Sequence, residues 1–165
     1  MRGQQGSSPP RRIAGPRGLP VKWVTRRGAK VDRIACPWLI LRFVDRDAEF
    51  LFVEPGEVEA VAKREGATPF DTPGARLGHR GRECSFDAIV REYAIDDPAV
   101  HALARIVRAA DVASERGTAP EAEGLLAVAD GFRRISKDDH ENLSRQLWVY
   151  DALYAAVKSR PRPPA

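Results

Sequence analysis

The sequence has little cysteine, with only Cys36 and Cys84 among 165 residues, and it lacks long apolar runs. Two cysteines are too few for a disulfide framework, so we expect free thiols in a reducing compartment. No segment approaches the roughly 18 apolar residues that a membrane-spanning helix needs. Arg11 and Arg12 form a twin-arginine pair, but no apolar signal core follows them. The sequence therefore predicts a cytoplasmic protein without a membrane span.

Acidic residues are absent from the first 30 positions, which hold eight lysine and arginine residues. The net charge of +4 thus combines a strongly basic segment with a mildly acidic remainder. Residues 1–20 are rich in Gly, Pro, Ser and Gln, so we predict a disordered basic leader. The alternative is an arm that makes weak, salt-dependent contact with nucleic acid or another anionic surface. Residues 159–165 are predicted to be a loose C-terminal tail, which leaves 21–158 as a single domain.

Strand and helix patterns divide that domain into two halves. The first half, about residues 21–84, alternates strands with helices; strands are predicted at 21–25, 49–53, 68–71 and 76–79, and a helix at 56–65. The second half, about residues 85–158, is predicted to be helical, since capping signals precede apolar stripes at helical spacing. We expect an α+β fold in which a small mixed sheet half packs against a C-terminal helical half and shares its core.

Polar residues interrupt the apolar segment 31–45 and indicate where a helix begins. Because a proline is tolerated only near the start of a helix, Pro37 predicts that a helix begins near Ala35 or Cys36. Asp32 and Arg33 would then lie in a strand-to-helix turn. Cys36 would lie at the helix N-terminus, where its thiol pKa is lowered and the thiol is reactive. The alternative is that Cys36 is a small buried core residue.

Several further polar residues are candidates for a metal site. His79 lies in a loop flanked by glycines, which permit a ligand to approach the backbone closely. Helical spacing places His140 and Asp151 on the inward stripe of the last helix and Asp111 at the edge of another stripe. His79 and His140 with a carboxylate from Asp111, Glu121 or Asp151 would suit zinc, iron or manganese.

Each of these residues also has an ordinary structural interpretation. Asp151 would pair with Arg33 or accept hydrogen bonds from backbone N–H groups, and His140 would donate to a carbonyl near a helix start.

An oxyanion is the alternative to a metal ion as the ligand, because Arg33, Arg80 and Arg82 offer planar guanidinium groups.

Six blocks of sequence together resemble one known family. They are DRIACPWLI (32–40), AEFLFV (48–53), PFD (69–71), LGHRGRECSFD (77–87), LARIVRAAD (103–111) and YDALYA (150–155). In this order they resemble the C-terminal domain of the chromate-resistance protein ChrB family, over about residues 21–158. The resemblance implies a role in chromate resistance and a functional link to a chromate efflux transporter. It also implies a candidate site whose members are Asp32, Arg33, Cys36, His79, Cys84, Asp111 and Asp151.

Three functions are compatible with these features. The first is an accessory or sensor domain that binds a metal ion or an oxyanion such as chromate or sulfate, with Asp32, Arg33 and His79 contacting the ligand. Asp111, His140 and Asp151 would then position those groups or join His79 in holding the metal. The second is a thiol- or metal-dependent chromate reductase that uses Cys36 and Cys84 as electron donors. The third is a DNA-associated regulator of a chromate efflux operon that uses the basic leader.

Overall fold

The structure, a computed structural model, describes residues 20–160. Residues 1–19 of the predicted leader and 161–165 of the predicted tail therefore lie outside the described residues. These residues form three strands, six α-helices and short π- and 3₁₀-helical turns. The strands are β1 (Lys22–Arg26), β2 (Glu49–Val53) and β3 (Thr68–Pro69), and the α-helices are α1 (Asp32–Leu39), α2 (Val58–Glu65), α3 (Ser85–Glu92), α4 (Pro98–Asp111), α5 (Ala122–Ile135) and α6 (Asp139–Lys158).

The three strands form a parallel sheet in the order β2-β1-β3. Trp23 of β1 is in register with Phe50 of β2 and with Thr68 of β3. The predicted α+β class is confirmed, but the sheet is parallel rather than mixed. A helix connects each pair of successive strands, and such crossovers return the chain in the same direction. The strand predicted at 76–79 is reduced to a single bridge between Phe70 and Leu77.

Side chains of β1 alternate between two apolar clusters on opposite faces of the sheet. Val24 packs with Val58, Val61 and Ala67 beneath α2. Trp23 faces the larger cluster, which contains residues from both halves of the chain. Helix α4 packs against four other helices (α1, α3, α5 and α6) within this larger cluster. The two predicted halves thus share a core, while the predicted domain boundaries stay a prediction.

Helix α1 begins at Asp32, three or four residues earlier than predicted. The carbonyl of Val31 accepts hydrogen bonds from the N–H groups of Ile34 (3.1 Å) and Ala35 (2.9 Å), which forms the first turn before Pro37 is reached. Pro37 therefore lies inside the helix. A π-helical turn follows at Ile40–Val44, where the N–H of Asp45 donates to the carbonyl of Ile40 over 2.8 Å.

Helix α6 fixes the loop between β1 and α1. The carboxylate of Asp139 accepts from the N–H groups of Gly28 (2.8 Å) and Ala29 (2.7 Å). The hydroxyl of Tyr150 donates to the carbonyl of Val31 over 3.1 Å, and Tyr150 is fully buried. These bonds hold the residues that precede Asp32. Within residues 20–160, no helix is both long and apolar enough to cross a membrane.

We predict that Asp139→Ala lowers the free energy of unfolding by about 2 kcal/mol, because two backbone N–H groups lose a charged acceptor. Chemical denaturation monitored by circular dichroism measures the change. Asp96→Ala is the control, since Asp96 is exposed and makes no hydrogen bond among the described residues. Equal stability of the two variants would show that α6 does not fix this loop.

Candidate functional site

Asp32 and Asp71 lie at the carboxyl ends of neighbouring parallel strands. Asp32 opens the helix that follows β1, and Asp71 lies two residues beyond the end of β3. The chain leaves β1 towards β2 on one side, while β3 lies on the other side. Ligand sites in open parallel sheets favour such a switch point. The position of the two aspartates in the sheet therefore favours a ligand site at this edge.

Asp32 is a buried carboxylate, with 1% of its surface exposed. One oxygen accepts from the N–H of Ser85 over 2.6 Å, and the other accepts from the N–H of Phe86 over 3.1 Å. These N–H groups belong to the first turn of α3, where free donors and the helix dipole favour a negative charge. The start of α3 therefore stabilises an ionised Asp32 inside the protein.

His79 places one ring nitrogen among three carboxylates. Its Nε2 atom lies 3.3 Å from Asp32 Oδ2, 3.2 Å from Asp71 Oδ1 and 3.1 Å from Asp111 Oδ2. Hydrogen bonds to Asp32 and Asp71 raise the pKa of His79 to about 10. A single N–H cannot satisfy three acceptors. The site therefore concentrates more negative charge around this point than one protonated histidine balances.

Asp71 connects this cluster to two arginines. Its Oδ1 accepts from the hydroxyl of Ser85 over 2.9 Å, and its Oδ2 lies 3.2 Å from Arg33 Nε and 3.8 Å from Arg26 Nη2. Burial acts to raise the pKa of Asp71, but hydrogen bonds from His79 and Ser85 hold the pKa below its usual value. Asp71 has a φ of 45°, a left-handed conformation that aspartate tolerates better than most residues. Such a conformation is typical of functional positions.

Asp111 ends helix α4 and is the least satisfied of the three acids. Its carboxylate lies 3.1 Å from His79 Nε2 and accepts a hydrogen bond from the backbone N–H of Asp32. Burial, followed by the charges of Asp32 and Asp71, raises the pKa of Asp111 to about 7. A carboxyl group whose pKa is raised towards 7 by burial and by neighbouring like charges is typical of functional sites.

The geometry fits a divalent metal ion. Asp32, His79 and Asp111 each offer one ligand atom, and these atoms lie within 4.8 Å of one another. Metal–ligand bonds of about 2.0–2.2 Å place neighbouring ligand atoms roughly 2.8–3.6 Å apart, depending on whether the coordination is octahedral or tetrahedral. The measured separations from His79 Nε2 to Asp32 and Asp111 agree with this spacing. Two carboxylates and an imidazole are suitable ligands for zinc, iron or manganese.

The three arginines predicted to bind an oxyanion already bind carbonyl or carboxylate oxygens of the protein. Arg33 uses Nη1 to donate to the carbonyls of Arg26 (3.0 Å) and Arg27 (2.8 Å), while its Nε faces Asp71. Arg80 donates to the carbonyl of Arg76, and Arg82 pairs with Glu115. Each of these guanidinium groups therefore already contacts protein oxygen atoms, and the acids around His79 would repel an oxyanion.

Two of the predicted metal ligands lie elsewhere. His140 is exposed at the start of α6, where its ring meets Phe52 edge to face at 5.2 Å. Asp151 pairs with Arg42 Nη2 at 2.7 Å and accepts from the indole N–H of Trp38 at 2.8 Å. Asp151 is partly exposed rather than buried beside Arg33. Among the candidates, the structure brings Asp32, His79 and Asp111 together, with Arg33 nearby.

Both cysteines lie beside the site, but neither is activated. The thiol of Cys36 donates to Asp32 over 3.4 Å, and the thiol of Cys84 donates to Asp87 over 3.3 Å. Both cysteines are free and buried. Burial, followed by the charge of Asp32, raises the pKa of both thiols. The predicted lowering of the Cys36 pKa is wrong, because Cys36 lies inside α1 and next to a carboxylate.

Asp71 and Ser85 were not among the predicted site residues. A usable signal existed, because Asp71 ends the strand predicted at 68–71, just as Asp32 follows the strand predicted at 21–25. In a parallel arrangement, these two strand ends meet at one edge of the sheet. No comparable signal marks Ser85, which reaches Asp71 only through tertiary packing.

The fold thus places three aspartates and a histidine together at the carboxyl edge of a parallel sheet. The profile of the ChrB C-terminal domain matches residues 23–157, and the chain belongs to this family. The chain is 34% identical over 139 residues to Protein ChrB of Cupriavidus metallidurans, an alignment that covers 84% of this chain. The chain spans 41% of the length of that relative. No solved structure matches the chain at a significant level.

We predict that the metal-free protein loses stability as pH rises from about 6 to about 9. The pKa of His79 is raised from 6.5 to about 10, so its stabilising contribution is complete below pH 6.5 and is lost towards pH 10. The raised pKa of Asp111 has the same sign, and its contribution is lost between pH 3.8 and about 7. Thermal unfolding in the presence of a chelator measures the trend. His79→Gln should make the stability less dependent on pH. A stability that rises between pH 6 and pH 9 would contradict the contacts between His79 and the three aspartates.

We predict that Cys36 and Cys84 react with a thiol reagent only after unfolding, because buried thiols with raised pKa values form little thiolate. Titration with a chromogenic disulfide at about pH 8, with and without denaturant, counts the reactive groups. Rapid reaction of either thiol in the native protein would restore the redox interpretation.

Proposed function

We propose that the chain is a cytoplasmic accessory or sensor domain in chromate resistance that binds a divalent metal ion through Asp32, His79 and Asp111. Family membership supports the role in chromate resistance. The convergence of three carboxylates on His79 Nε2 supports metal binding. Manganese, iron and zinc are the ions that this set of ligands favours.

Charge balance favours a cation over an oxyanion at this site. Asp32, Asp71 and Asp111 supply three negative charges when ionised, and Arg33 is the nearest arginine engaged with them. A divalent ion that replaces the His79 proton would lower the repulsion among the acids. An oxyanion would increase it. Chromate would therefore influence this site through the metal or from another part of the protein, rather than by binding among these acids.

Asp71, Ser85 and Arg33 would act as positioning residues around the metal. The Ser85 hydroxyl and the Arg33 guanidinium hold Asp71 beside the histidine. The first turn of α3 holds Asp32. Such partners orient the ligands and tune their affinity for the metal.

The reductase and DNA-binding alternatives have weaker support. Chromate reduction by thiols requires accessible thiolates, whereas burial raises the pKa of both cysteines. DNA binding through the basic leader stays a prediction, because residues 1–19 lie outside the described residues. The link to a chromate transporter likewise stays an expectation from the family.

We predict that Asp111→Asn weakens Mn²⁺ or Zn²⁺ binding by at least about tenfold, which is the lower bound for disturbing a metal site. The same substitution should leave the metal-free protein as stable or more stable above pH 7, since it removes a like charge. His79→Ala should also weaken binding while folding is kept. Isothermal titration calorimetry and thermal unfolding measure the two effects.

Asp151→Asn is the matched control, because Asp151 is another partly exposed aspartate that has an arginine partner instead of the histidine. It should leave metal affinity unchanged. Metal affinity that is equal in wild type, Asp111→Asn and His79→Ala would rule out the proposed site. Growth on chromate of a host carrying Asp111→Asn, compared with Asp151→Asn, tests the biological role.

A further inference from the structure

Apart from the cluster around His79, a cavity lies at the carboxyl edge of the sheet, on the face covered by α2. It is a cleft of about 810 Å³ between α2 and the loop 72–75. Arg26 at the end of β1 and Pro69 at the end of β3 both line it. Its volume lies in the range of about 300–1,000 Å³ that is typical of small-molecule sites.

The walls of this cleft are mainly apolar. They are formed by proline, alanine and valine side chains with two glycines, namely Pro55, Gly56, Val58, Ala62, Ala67, Pro69, Pro73, Gly74 and Ala75. Added Cβ atoms at Gly56 and Gly74 would meet no atom within 4 Å, so the cleft is open at both positions. The walls can therefore accept the apolar body of a ligand.

Arg26 is the cation best placed to select the charge of that ligand. Lys63, the other basic residue of the cleft, is highly exposed and pairs with Glu59 at 2.9 Å. Arg26 Nε and Nη2 both donate to the carbonyl of Asp71, at 3.2 Å and 2.9 Å. These bonds fix the guanidinium, while Nη1 donates to no residue within 20–160. A fixed guanidinium with a free edge suits a carboxylate, sulfonate or phosphate group.

We propose that this cleft binds a small organic anion whose apolar body lies against α2 and the loop 72–75 and whose anionic group contacts Arg26. The combination of apolar walls and one fixed cation is the usual composition of a small-molecule pocket. Asp71 Oδ2 lies 3.8 Å from Arg26 Nη2, so the anionic group would contact the Nη1 side of the guanidinium, which faces away from this carboxylate. This proposal does not rest on metal binding at His79.

Two fluorescent probes of nearly equal shape test the proposal. One is 8-anilinonaphthalene-1-sulfonate, an aromatic sulfonate, and the other is the neutral N-phenyl-1-naphthylamine. Wild type should bind one sulfonate probe per chain with saturation. Ala62→Trp fills the cleft and should weaken both probes about tenfold or more, because the apolar contacts are lost. Arg26→Gln should weaken only the sulfonate, roughly tenfold, because a charge-assisted hydrogen bond is lost.

Controls separate binding from folding. Arg42→Gln removes another arginine that pairs with an aspartate, outside the cleft, and should leave both affinities unchanged. Circular dichroism melts establish that each variant is folded. Arg26→Lys should recover part of the sulfonate affinity. Sulfonate binding that does not saturate, or that Ala62→Trp leaves unchanged, would overturn the cleft as a binding site. Equal loss of both probes in Arg26→Gln would overturn the role of its charge.

Discussion

The buried carboxylate of Asp32 is the constraint on which the site depends. With 1% of its surface exposed, it needs strong partners, and the first turn of α3 supplies two backbone N–H donors. These bonds join the helix after β1 to the helix that begins at Ser85. Because that junction also places the Ser85 hydroxyl against Asp71, one buried charge determines the relative position of two site acids.

The helical half was predictable from the sequence because its caps and apolar stripes are local signals. Asp97, for example, caps α4 through the N–H groups of Ala99 and Val100, as its position before Pro98 predicts. Helix α6 shows where this reasoning fails. Its buried face includes the polar residues Asn142 and Gln146, so a stripe drawn through apolar residues alone is rotated away from the true face.

That rotation explains the misplaced ligand candidates. At about 100° per residue, His140 and Asp151 lie roughly a third of a turn from the buried face, whereas Asp139 lies within it. Asn142 is buried because its amide donates to the carbonyl of Ala29 over 2.9 Å. This partner is 113 residues away in the chain. The pairing of polar groups over such a separation depends on the tertiary structure, which no local pattern reveals.

The loop from Asp71 to His79 joins the two candidate sites physically. Its ends carry two residues of the acidic cluster, and its middle, residues 72–75, forms one wall of the cleft. Within this loop, Gly78 packs so closely on Ala75 that an added Cβ at Gly78 would lie 3.0 Å from the carbonyl oxygen of Ala75. The loop therefore has little freedom to adjust one end alone. The backbone that forms this wall of the cleft is thus continuous with the backbone that carries His79, and the close packing of Gly78 on Ala75 keeps the two at a fixed separation.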